Sequence, residues 1–122
     1  MTIGKLLAQF QDMNPSQYNQ TVLIGWLSEV DGQISNTIHR DRDGMKTIAE
    51  PYTIDTSLDT PLLVPFPFDQ IYMYWLSAMV DKSNQEFDRY GNEMQLFNSY
   101  YNAYAANVAN NHVFLKSGEI RV

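Results

Sequence analysis

Apolar residues recur at helical spacing over four parts of this chain and lose that spacing in one long interior stretch. Near the start, Ile3, Leu6, Leu7 and Phe10 follow steps of three and four behind Thr2, a residue able to cap. Pro15 stops the pattern, which predicts a helix over 2–12. Asn19 is then an N-cap for a segment in which Leu23, Trp26, Leu27, Val30, Ile34 and Ile38 recur, predicting a second helix over 20–39. Gly25 and Gly32 oppose it by about 1 kcal/mol each relative to Ala.

Residues 40–66, "RDRDGMKTIAEPYTIDTSLDTPLLVPF", hold turn formers, prolines and β-branched residues without a sustained period. The alternation in "KTIAEPYTI" permits a strand or small hairpin, which Pro51 confines to an edge. From Pro67, a residue suited to a first helical turn, the helical period returns. Phe68, Tyr72, Trp75 and Met79 form one stripe, widened by Ile71 and Leu76. Phe87, Tyr90, Met94, Phe97, Tyr101, Tyr104 and Val108 form the next.

One helix over 67–110, or two broken between Asp81 and Glu93, satisfies this pattern. "SNQE" at 83–86 has the form of a capping box, and "YGN" at 90–92 places a glycine where a chain can reverse. The glycine is the preferred break, giving helices over 67–90 and 92–110. Residues 111–122 read as a β-like arm with a Ser-Gly turn. The expected fold class is mainly α. It is a single domain over 1–122: a bundle of about four helices with a short β-hairpin or irregular connector, 40–66, between helices 2 and 3.

Composition narrows the function classes. With 122 residues, 44% hydrophobic and 18% charged, the chain is long enough for one real core and too apolar for disorder. A net charge of −6 with eight scattered basic residues argues against a grip on nucleic-acid phosphates. Cysteine is absent, which removes thiol chemistry and Cys-based zinc sites. The N-terminal stretch lacks the basic and apolar regions of a secretory signal, and no run reaches the roughly 18 apolar residues of a membrane span.

Candidate chemistry is sparse. "HRDRDGMKTIAE" at 39–50 places Asp41, Asp43 and Glu50 at ligand positions of a calcium loop, but His39 stands at the first ligand position and Pro51 follows the Glu. A solvated turn is the expectation, with no metal or other cofactor. His39 and His112 fall at predicted helix C-termini, where an imidazolium suits the dipole. Glu29 with Asp31, and Glu86 with Asp88, are two apart and read as solvated faces. Tyr100, Tyr101 and Tyr104 lack the basic groove of a base-stacking surface and read as packing residues. The "NQT" at 19–21 has little meaning without a secretory signal. With so few titratable groups in reach of one another, no enzyme is expected.

The order of motifs adds a resemblance. Leu62-Leu63-Val64-Pro65, Pro67-Phe68-Asp69, Tyr72, Tyr74-Trp75-Leu76, Asp81, Asn84, Glu86, Tyr90-Gly91-Asn92 and Phe97-Asn98 leading into Tyr101 follow one another. In this order the chain resembles the small head-tail connector, or head-completion, proteins of tailed bacteriophages and prophages. Trp26-Leu27, Glu29 and Gly32-Gln33-Ile34 fit the second helix of the same proteins, so the resemblance runs from about 3 to 110.

It implies a structural virion protein of the neck, present in the host cytoplasm during assembly. Copies form a ring, dodecameric in such proteins, under the portal. The ring extends the DNA channel without binding DNA specifically, helps retain the packaged genome and docks the next neck or tail protein. Candidate interface residues are Tyr52, Leu62, Phe66, Tyr74, Tyr101, Phe114 and Leu115, with Trp75 equally suited to the core. The rival reading is a small acidic helical binding or regulatory module, such as an antagonist of a host DNA-binding protein.

Overall fold

The computed structural model describes residues 1–13 and 18–112. Four helices make up most of it: α1 (Ile3–Met13), α2 (Gln20–Thr37), α3 (Gln70–Ser83) and α4 (Phe87–Asn111). The mainly helical architecture expected from the periodicity is the one observed. Between α2 and α3 the chain is irregular, and no hairpin forms there among the described residues. An isolated antiparallel bridge joins Thr2 to Pro61. Residues 113–122, the greater part of the predicted C-terminal arm, lie outside the described residues.

α3 is the central helix, packing against α1, α2 and α4. Its composition explains that position: Ile71, Tyr72, Met73, Trp75, Leu76, Ala78 and Met79 are all buried, so it is apolar on nearly every side. α1 contributes one narrow stripe of Ile3, Leu6, Leu7 and Phe10, and α2 a stripe of Leu23, Ile24, Leu27, Val30 and Ile34. α4 approaches α3 along its length through Phe97, Tyr104 and Val108, while its other faces stay open. The ring of Trp75 meets that of Phe97 at 5.1 Å, and its Nε1–H donates to the carbonyl of Trp26 on α2 at 2.8 Å.

The helix starts follow the sequence. Thr2 Oγ1 accepts from the Lys5 amide, and Asn19 Oδ1 accepts from the Val22 amide, each satisfying a first-turn donor. Two further first-turn donors of α1 are met by the connector: the Ile3 amide donates to Thr60 O and the Gly4 amide to Leu58 O. A side chain at position 4 would meet Leu58 at 3.1 Å, so glycine is what lets these two segments close.

The helix ends correct three expectations. α2 stops at Thr37, with Ile38 as C-cap, two residues short of the predicted end at 39. α3 begins at Gln70, and Pro67 lies in the preceding turn, closed by the Phe68 amide on Pro65 O. The break between α3 and α4 falls at Asn84-Gln85-Glu86, while Gly91 sits inside α4. Its chemistry is a Schellman C-cap: Glu86 N–H donates to Asp81 O and Gln85 N–H to Lys82 O. Gln85 holds the left-handed conformation, φ +62, that glycine more often occupies. A search for glycine therefore points six residues too far along.

Candidate functional site

Ser28, Asp31, Ser35 and His39 are separated by steps of three, four and four, and so share one face of α2 and the turn that follows it. In an amphipathic helix that face is expected to be solvated. Here Asp31, Ser35 and His39 are buried, and the four side chains grip the connector. Ser28 Oγ accepts from the Tyr52 amide and Ser35 Oγ from the Ile48 amide, both at 3.0 Å.

Asp31 is the centre of this seam. One carboxylate oxygen accepts from the Tyr52 hydroxyl at 2.6 Å and the Leu63 amide at 3.2 Å, and the other from the Tyr72 hydroxyl. Tyr72 in turn accepts from the Val64 amide at 2.8 Å. A carboxylate with no solvent exposure thus gathers donors from α3 and from both halves of the connector. Isolated burial of such a group is costly, and convergence of several donors is what offsets it. Burial holds the Asp31 carboxyl above its ordinary range, opposed by the bonds from Tyr52, Tyr72 and Leu63. Burial, with the Asp31 charge beside them, also raises Tyr52 and Tyr72.

At the end of the seam, His39 Nδ1 lies 2.6 Å from Lys46 O. A carbonyl only accepts, so this nitrogen carries the proton and Nε2 of the neutral ring accepts from the Tyr104 hydroxyl. Burial lowers the His39 pKa, partly countered by the Lys46 carbonyl and Asp31. Tyr104 is raised to about 12, chiefly by burial. These contacts replace two expectations. Asp31 is not part of a solvated pair with Glu29, which alone is exposed. His39 is a neutral buried link between connector and α4 rather than a cation on a helix dipole.

The candidate interface residues divide sharply. Tyr52 and Leu62 are core residues: Asp31 holds the Tyr52 hydroxyl and the Met1 carbonyl holds the Leu62 amide. Phe66 is 84% exposed. Tyr74 is half-buried with its ring 5.4 Å from Tyr100, and Tyr101 donates its hydroxyl to Thr37, whose own proton goes to Gln33 O. Phe114 and Leu115 lie outside the described residues. In the calcium-like stretch, Asp41, Asp43 and Glu50 are exposed and Asp41 has φ +56, as in a turn. Among the described residues, no group of three or more His, Asp or Glu side chains is placed to hold a metal ion.

Among the described residues, two of the larger open features border the connector and α4. A groove of about 650 Å³ between α1, α3 and α4 is lined by Phe10, Met13, Tyr74 and Leu96, with Asp81 and Glu93 facing it. Burial, and then the neighbouring Asp81, push the Glu93 carboxyl well above the usual range. A second cavity, of about 500 Å³, lies beneath the connector.

Sequence reasoning missed the seam because it weighed polar residues as pairs rather than by period. The signal was present: a serine, an aspartate, a serine and a histidine at helical steps, beside an apolar stripe. Compared with protein-family models, curated proteins and solved structures, the chain has no match.

Proposed function

We propose that this chain is a head-tail adaptor of a tailed phage or prophage: copies close a ring beneath the portal, extend the DNA channel and present the platform for the next neck or tail protein. The observation that carries the reading is the ordered motif series from Leu62 to Tyr101. It spans the end of the connector, the central helix and α4 as far as Tyr101. Two features of the protomer support it. The connector is held in one conformation by buried bonds from α2, which suits a segment that must meet its neighbours in a fixed shape. Phe66, set between two prolines that restrict the backbone, presents an aromatic ring to solvent at little ordering cost.

Ring closure uses a heterologous contact, one face of each copy against a different face of the next. The net charge of −6 lets DNA pass without adhering. Deletion of the gene from the parent phage or prophage, followed by electron microscopy of the lysate, tests the reading. Unjoined or DNA-emptied heads beside free tails are the expected result, and normal virions would refute it.

A further inference from the structure

The groove between α1, α3 and α4 opens beside Asn84-Gln85-Glu86, the turn that joins the last two helices. Tyr74 and Asp81 face it from α3, and Arg89 and Glu93 from α4. α1 contributes Phe10 and Met13, which carry no charge. Glu93 Oε2 is buried there and finds no donor among the described residues. The hydrogen-bonding neighbour of the Glu93 carboxyl is the Asp81 side chain, a second carboxyl. Ionised carboxylates only accept, so a hydrogen bond between the two requires a proton on one of them. A buried oxygen without a donor is costly, and a like charge alongside favours keeping that proton. Burial, followed by Asp81, pushes Glu93 up to about 8 against the weaker pull of Arg89. Asp81 also holds the turn, its carbonyl accepting from the Glu86 amide at 2.8 Å. One residue near the end of α3 thus meets the turn through its backbone and α4 through its side chain.

We propose that Glu93 donates a proton to the Asp81 carboxylate, and that this shared proton is a pH-sensitive latch holding the first two turns of α4 against the end of α3. When the proton leaves, the same turns lose that bond and two like charges face each other across the groove. The unfolded chain gives up the Glu93 proton near 4.5 and the folded protein near 8. The stability the latch contributes is therefore complete below 4.5 and is lost as pH rises to about 8. The latch rests on the protomer alone and is independent of the adaptor reading.

An NMR titration of the carbon-13-labelled full-length protein follows the Glu93 carboxyl directly. A midpoint near 8 is expected, and Asp81→Asn should weaken the hold on the proton by about tenfold or more. Hydrogen exchange supplies a readout that burial alone would not move. Above the midpoint, the amides of residues 90–93 should exchange faster in the unsubstituted protein than in Glu93→Gln, whose neutral side chain keeps a donor toward Asp81 at every pH. A Glu93 midpoint near the ordinary 4.5 overturns the proposal. So does a midpoint that Asp81→Asn leaves unchanged, or equal exchange in the two proteins above the midpoint.

Discussion

A single carboxylate decides how the irregular stretch between α2 and α3 is held. Asp31 accepts from Tyr52, Leu63 and Tyr72, and removing it leaves buried donors without an acceptor, each at about 1–3 kcal/mol. Asp31→Ala should therefore lower the unfolding free energy by about 3 kcal/mol or more in urea titration, whereas Glu29→Ala, two residues away and exposed, should stay within about 0.5 kcal/mol. Equal effects would mean that the seam does not hold the connector. His39 sets a pH dependence. Its folded pKa lies below 6.5, so the unfolded chain takes up the proton first. The stability it contributes is complete above that value and is lost as pH falls from 6.5 through the folded pKa. Asp31, raised above 3.8, acts in the opposite sense, its contribution fading as pH rises through its folded pKa. Urea midpoints at about pH 5.5 and about pH 7.5 should then differ less in His39→Gln than in the unsubstituted protein, because the variant lacks the titrating group while Asp31 is common to both.

At the scale of elements, periodicity made the helices legible and chemistry placed their ends. Thr2 and Asn19 cap as their residue types suggest, because an N-cap needs only a short side-chain acceptor. The α3–α4 break was harder, since a Schellman cap is a backbone arrangement and Gln85 adopts it without the glycine that usually marks it. Gly91 tests this directly. It lies within α4, and a side chain there meets nothing within 4 Å. Gly91→Ala should raise stability by about 0.5–1 kcal/mol, read from the thermal midpoint. Loss of stability would restore a turn at this position. The connector gave no period to read, because its order comes from donors and acceptors on another element.

The whole molecule is a core of α1, α2 and α3 with α4 laid along α3, leaving a groove on the α1 side and apolar side chains in the open. Met13, Phe66, Phe87 and Leu96 are all exposed. Scattered apolar residues on a surface are ordinary, but Phe66 is distinguished by its exposure and by its two flanking prolines. Phe66→Ser should change the unfolding midpoint negligibly, within about 0.5 kcal/mol, since the ring contributes little to the folded protomer. In a phage complemented with the variant, the adaptor reading expects fewer joined particles. Unimpaired joining would remove Phe66 from the interface without touching the fold.

By itself the sequence determined that the protein is mainly helical and where the four helices run, to within about three residues except at the α3–α4 break. Each follows from the spacing of apolar side chains, a local property that one helix carries alone. Only the tertiary structure decided what Ser28, Asp31, Ser35 and His39 are for. A polar residue at helical spacing is solvated or buried according to what packs over it, and here the covering groups lie up to 65 residues away along the chain, as in the bond from Tyr104 to His39. The same is true of Tyr52, whose place in the core is set by a carboxylate on another element rather than by its own neighbours, and of Leu62, whose amide is held by the Met1 carbonyl.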